Sequence, residues 1–384
     1  MARAYGANAS LLAAFESIYG TVPTGDYWKL PFVSTSLGSE QGLIANDLIG
    51  LGRDPSAPIR DVIKVEGDIV VPLDVNNIGV WLKALLGNAT VTGSEPDTGA
   101  PVTHTFASGK PILASLTLET GLADIPAYFV ASGVMANSLQ VSFARSGAAN
   151  ATIGLIAQGE IRHTQTRDAT PSTRELLRFN QFQGAIKKDG QPLGNVVSAQ
   201  LTYSNNLERI ETIRSDGRIE GADPTVASLT GNLEVRFADT QLIDAATNNT
   251  PLELSFGYVI DAARRITFTA HEVYLPKPKL SISGPGGIQA TFDWQAAKNA
   301  AAGRMFTVEL TNARWVDVLG FGDVRDRGMR AVEQLAVPAV AARDEFDHGV
   351  VDERLAALDG TLAVGQHDDG LAGTPAKRHG DFGG

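Results

Sequence analysis

A mainly β fold, built as two tandem β-sandwich or partly closed barrel domains from an internal duplication, is predicted from three features of the sequence. Apolar and polar residues alternate at period two over many short stretches, the pattern of strands with one buried face. Helical periodicity is confined to two short segments, one per domain. The stretch "GDIVVPLDV" from Gly67 is also spelled again in character as "GNLEVRFAD" from Gly231, with the flanking sequence keeping step.

The offset that carries Gly67 onto Gly231, 164 residues, defines the repeat. Under it "VSTSL" (33–37) falls on "VSAQL" (197–201), Val71 on Val235, Ile78 on Leu242 and Leu82 on Ala246. One matched strand is common by chance; strand, loop and helix holding one register over roughly fifty residues point to duplication. In the first copy Val65, Ile69, Val71 and Leu73 alternate with Lys64, Glu66, Asp68 and Asp74. In the second, Leu229, Leu233 and Val235 alternate with Thr230, Asn232, Glu234 and Arg236. Parity is kept in both copies, as it must be if one face is buried, because a slip of one residue turns every apolar side chain outward.

Next comes "NNIGVWLKALLG", where Ile78, Trp81, Leu82 and Leu85 sit at helical spacing behind an Asn suited to capping, with Gly87 placed to end the helix. Its counterpart "DTQLIDAATNN" keeps Leu242, Ala245 and Ala246 at the same offsets. The offset then falls to about 141, because the first copy carries a longer Gly-, Thr- and Pro-rich loop from Gly87 to Pro111. Strand patterns resume at Leu116 and Leu252, and a closing hairpin sets Leu139 on Leu280 and Ile153 on Trp294. About six or seven strands and one helix per copy suit a small sandwich. The expected boundaries are 1–165 for the first domain with its N-terminal arm, 166–178 for a polar linker, 179–318 for the second domain and 319–384 for a C-terminal tail. The tail is rich in Gly, Asp and Ala without strand alternation, and is expected to be disordered.

Composition narrows the function classes. The 384 residues are 43% hydrophobic and 20% charged, enough for two ordinary cores. With no cysteine there is no disulfide scaffold and no thiolate metal site. A formal charge of −11 argues against a surface that grips phosphate backbones. The N-terminal apolar stretch is broken by Glu16 and is too short for an export signal or a membrane span. "GPGGIQA" from Gly284 lies between strands and reads as a tight turn in preference to a phosphate loop. The six histidines are scattered, and "DEFDH" and "HDDG" read as solvated charge. Glu160 with Asp168, or Asp68 with Asp74, leaves a glycosidase-like carboxylate pair open on spacing alone. Nothing clusters, so no enzyme, no metal and no cofactor is expected. Trp28, Trp81, Trp294 and Trp315 fall in strand or helix patterns and read as core.

Two long segments of nearly equal length stand out, Gly38–Pro58 and Tyr203–Pro224. Loops of this length in compact domains are usually functional. They carry Leu43, Ile44, Leu48 and Leu51 in one copy and Leu207, Ile210 and Ile213 in the other. These residues are candidates for contact with another subunit, against the alternative of a loop folded over its own domain.

Several separated segments, among them "ARAYGANASLLAAFESIYG", "YWKLPFVSTSLGSEQGLI", "SLTGNLEVRFAD" and "SGPGGIQATFDWQAA", resemble the phage tail tube proteins of long-tailed phages. The likeness covers about residues 1–316. It implies a sandwich with a flanking helix whose inner sheet joins neighbours in a ring around a DNA channel, and a long loop that reaches the adjacent ring. It also implies a virion protein made in the host cytoplasm, without a membrane. The implied partners are further copies of itself, the tape measure, the tail terminator and the distal tail protein, with DNA passing through unbound. A chain holding two units would close the family's six-unit ring as a trimer with pseudo-sixfold symmetry. Glu66, Asp68 and Glu234 are the candidates for lining the channel, and Leu43, Ile44, Leu48, Leu51, Leu207, Ile210 and Ile213 become candidates for contact between rings. A non-catalytic sandwich that binds carbohydrate or protein through its loops is the alternative.

Overall fold

The alternating stretches form strands. The computed structural model describes residues 3–50, 52–93, 101–280, 282 and 284–312; the expected tail, Trp315 and Leu51 lie outside them. The first half holds β1 (Ala9–Phe15), β2 (Trp28–Lys29), β3 (Ser34–Thr35), β4 (Gly38–Asn46), β5 (Ser56–Pro72) and helix α1 (Ile78–Leu86). It continues with β6 (Thr90–Gly93), β7 (Val102–Ala107), β8 (Leu116–Leu122), β9 (Ala127–Phe143), β10 (Asn150–Ala157) and β11 (Gly159–His163). The second half holds β12 (Gly184–Lys188), β13 (Gln191–Pro192), β14 (Val196–Ser204), β15 (Leu207–Ile210), β16 (Gly221–Pro224) and β17 (Ser228–Arg236). Helix α2 (Gln241–Asn248) leads into β18 (Leu252–Asp261), β19 (Arg264–Tyr274), β20 (Gln289–Ala296) and β21 (Phe306–Asn312).

All the strand pairs are antiparallel. One long sheet runs from β3 and β4 through β5, β10, β9, β14 and β17 to β20. A second runs β6–β7–β21–β19–β18–β12–β13. A third runs β2–β1–β8–β9–β11. The sheets are open, and among the described residues none closes into a barrel. Strand β9 serves two of them: Ala127–Val134 pairs with β8, and Ser138–Phe143 pairs with β14.

The principal core draws on both halves, with Ile69, Val141 and Ile153 from the first and Leu233, Phe268 and Phe292 from the second. Phe143, at the end of β9, stacks on Tyr258 at 5.1 Å, tilts against Phe256 at 5.2 Å and meets Phe268 edge-on at 6.4 Å. The two helices, expected to be equivalent amphipathic pieces, differ. Every residue of α1 is buried, whereas α2 buries only Leu242. Lys83 is enclosed with the rest, its Nζ 4.6 Å from the Phe15 ring centroid. Burial pulls that ammonium down to a pKa of about 8.

Strand register follows the 164-residue offset. Ser34 faces Val70 and Ser198 faces Glu234; Gly38 faces Glu66 and Thr202 faces Thr230; Ser39 faces Val65 and Tyr203 faces Leu229. Both closing-hairpin equivalences move by two residues, that of Ile153 with Trp294 and, by the same register, that of Leu139 with Leu280, which falls to Val141. Ile153 faces Ile69 while Phe292 faces Leu233, so Ile153 corresponds to Phe292, two residues before Trp294 and with parity kept. Trp294 instead faces Gly231 as Leu155 faces Gly67. Both glycines have the same cause. A Cβ at Gly67 would stand 2.5 Å from the Ser36 carbonyl oxygen, and one at Gly231 would stand 2.0 Å from that of Gln200 and 2.4 Å from Trp294 Cζ2.

Candidate functional site

Three surfaces are built by this arrangement: a strand seam with free edges, a pair of hairpin arms, and a polar sheet face. In the long sheet each half contributes strands in one order, β3–β5–β10–β9 and then β14–β17–β20, with β19 meeting β20 at Val273 and Tyr274. The seam between halves is β9 against β14, with Ala199 opposite Phe143, Leu201 opposite Val141 and Tyr203 opposite Leu139. At one end of the series, β3 and the base of β4 pair only with β5 among the described residues. At the other, the chain leaves β19 without continuing as strand, and Leu280 and Ile282 are 39% and 74% exposed. Such edges present unpaired backbone groups ready for another chain.

The arms are hairpins of matching register, Leu43 facing Arg60 in the first and Leu207 facing Pro224 in the second. The first continues β4 and β5, with register shifts between Gln41 and Leu43 and between Ile44 and Asn46, and leaves Leu43, Ile44 and Leu48 exposed, with Ile49 beside them fully so. The second bends where the chain passes Asn205 and Asn206. The buried Asn205 amide donates to the carbonyls of Leu85 (2.9 Å) and Ala136 (3.0 Å) and accepts from the Tyr203 hydroxyl (2.9 Å). Asn206 takes φ 47°, the left-handed region. Leu207 then packs with Leu113, Met135 and Ile156, its N–H donating to Asn137 Oδ1 at 2.9 Å. Arg209 pairs with Glu66, and Ile63 N–H donates to the Gly217 carbonyl at 3.1 Å. Leu207 and Ile210 are thus half-buried, with Leu207 seated on the chain's own first half, while Ile213 at the tip is fully exposed.

The polar face lies opposite the core on the long sheet. Asp68 is exposed there, Glu66 is taken up by Arg209, and Glu234 Oε2 accepts from Ser198 Oγ at 3.0 Å. Asp293, opposite Asn232, joins them and was missed by the sequence reading, although its parity in "QATFDWQA" places it there.

Of the four carboxylates considered for catalysis, Glu160, Asp168 and Asp74 hold a turn or a neighbouring segment, and Asp68 lies exposed on the polar face. Glu160 accepts from Ser39 Oγ at 3.0 Å, and Asp168 accepts from the backbone N–H of Tyr27 (3.2 Å) and Thr170 (2.9 Å). Asp74 is 1% exposed, and its Oδ1 accepts from the N–H groups of Asn76 (2.8 Å) and Asn77 (2.7 Å). Burial raises its pKa to about 6 against those hydrogen bonds. Glu16, read only as a break in an apolar stretch, accepts from Ser115 Oγ, Thr117 Oγ1 and the N–H groups of Gly20 and Gly133, all within 2.8 Å. Among the described residues no three His or acidic side chains gather where a metal ion would sit, and no helix is long and apolar enough to cross a membrane. "DEFDH" and "HDDG" lie outside those residues.

No curated protein matches the chain. The family described as phage tail tube protein matches residues 6–296, a span that takes in both arms, the seam and the polar face. On that match the chain belongs to the phage tail tube protein family and is a structural component of the virion tail.

Proposed function

We propose that the chain is a duplicated tail tube unit that associates side by side into closed rings, three chains to a ring, and that stacked rings form the conduit for DNA. The β9–β14 seam carries this reading, because it is an edge-to-edge union of two like units already made inside one chain. The pairing registers carry Val141 onto Leu280 and Leu201 onto Leu37, so the same seam between chains sets Leu280 opposite Leu37 and Ile282 opposite Thr35. Closure then pairs both free edges of the long sheet. Duplication is supported by the shared registers and the paired glycines. The divergence of α1 from α2 makes alternate positions around such a ring unlike, giving true threefold and approximate sixfold symmetry.

The polar face is the surface assigned to the channel. Asp68, Glu234 and Asp293 among Ser, Thr and Gln side chains repel phosphate, so DNA slides without adhering. The exposed tips, Leu48, Ile49 and Ile213, are assigned to contact between rings. The tape measure, terminator and distal tail protein would meet the tube at its lumen and ends. The role is assembly in place of catalysis, in keeping with carboxylates committed to holding turns. Electron microscopy of the purified full-length chain tests the reading: rings or tubes with three chains around the axis are expected, and a map with six complete chains, or monomers at every concentration, overturns it.

A further inference from the structure

The second arm's seat on the first half has an open counterpart on the second half. Leu207 and Arg209 of the seated arm border a remaining space of about 660 Å³, walled on the sheet side by Glu66, Gly67, Asp68, Gly154, Leu155 and Ile156. A groove of about 620 Å³ on the second half is walled by Thr230, Gly231, Asn232, Asp293, Trp294 and Gln295. The two sets correspond one for one. Glu66 faces Ile156, which faces Met135; Thr230 faces Gln295, which faces Tyr274. Ile156 and Met135 are buried beneath the second arm, while Gln295 and Thr230 are exposed.

We propose that this second groove receives the first arm of another copy of the chain, docked in the same ring as the second arm is docked on its own first half. The inference rests on the lateral association proposed above and adds its contact. Three features commit the groove to that occupant. Leu43 stands where Leu207 stands, with the same hairpin register, and is 67% exposed. Gly42 stands where Asn206 makes the left-handed bend, and glycine enters that conformation without steric cost, so the first arm carries the hinge it needs to fold over as the second does. The ion pair of the first seat is absent from the second on both sides at once: Ala45 replaces Arg209 and Thr230 replaces Glu66, so neither member of that pair is left without the other. Tyr274 and the stem of Gln295 then offer Leu43 the floor that Met135 and Ile156 offer Leu207.

The natural chain has no cysteine, so paired substitutions report contact without background. Leu43→Cys with Gln295→Cys should form disulfides between chains under mild oxidation, giving a ladder that ends at the closed oligomer on non-reducing gels. Leu207→Cys with Ile156→Cys should close within one chain and calibrates the geometry. Adding Gly42→Val to the first pair should cut cross-linking by about tenfold, because a β-branched residue resists the left-handed bend. Rings seen by microscopy without the intermolecular cross-link, while the intrachain control closes, would overturn the docking alone. Absence of rings and cross-link together would overturn lateral association and the docking with it. Cross-linking indifferent to Gly42→Val would overturn the hinged docking in favour of contact by a straight arm.

Discussion

Phe143→Ala tests whether the two halves fold as one. The ring belongs by sequence to the first half, is 5% exposed, and sits among Tyr258, Phe256 and Phe268 of the second. Truncating a buried Phe costs about 3–5 kcal/mol through lost transfer energy and the cavity left behind. Each well-placed aromatic pair adds about 0.5–1.5 kcal/mol, although the three share one ring and do not sum. Against a typical total of roughly 5–15 kcal/mol, this is a large fraction of the stability. Urea unfolding should be followed at concentrations where the chain is monomeric, in single-tryptophan variants that retain either Trp81 in α1 or Trp294 in β20. Both reporters should lose stability together, by about 3–5 kcal/mol. A midpoint at Trp81 that stays put while Trp294 moves, or a loss below about 1 kcal/mol at both, would refute a shared cooperative core and restore two independent domains.

Asp74 binds its proton more tightly when folded, near pH 6, than at its ordinary 3.8, so its contribution to stability is greatest below about pH 4, declines as pH rises to 6 and is then lost. The size is about 3 kcal/mol at most, and Asp74→Asn, which keeps the acceptor for Asn76 and Asn77, should flatten the melting temperature between pH 4 and 7; parallel curves would count against it. Gly231→Ala drives a Cβ into the Gln200 carbonyl and should cost about 1–3 kcal/mol, whereas Gly284→Ala, with no atom within 4 Å, should change the thermal midpoint little, and equal effects would contradict the packing account. Reversing Glu234, which lies outside both grooves, to Lys should leave assembly intact and slow DNA release from virions; release at the natural rate would remove this face from the channel.

The strands were legible because alternation is local and one face had to be buried: Val65, Ile69 and Val71 could be assigned inward from the sequence alone. The arms were legible for the same kind of reason, as nearly equal lengths of chain too long for turns. The seam was not, because Leu139, Val141 and Phe143 alternate like any strand, and nothing local says that β14, far along the chain, pairs with them. Nor was the fate of the second arm. Asn205 reads as an ordinary turn residue, and only the meeting of α1 with β9 supplies the two carbonyls that turn it inward. Full burial of α1 was not legible because Gly79 and Lys83 carry no hydrophobic signal, and the spacing of Ile78, Trp81, Leu82 and Leu85 marks only one face. The polar face was found in part, since parity reveals a face but not which of its carboxylates is neutralised by an arginine from elsewhere.

Strand β9 gives up one set of partners and takes another within one continuous run of chain, leaving extended conformation at Gly133, where φ is 62°. It therefore acts as a strut shared by two sheets. Sliding one sheet over the other would need the strut's own backbone to bend, or a whole run of its hydrogen bonds to break at once, and side-chain repacking alone would not suffice. A pull on either sheet is carried to the other through covalent bonds. In a long tube made of such chains, each chain moves as a stiff link, and curvature of the tail is taken up at the joints between links, where a hinged arm and a single strand edge are the compliant parts.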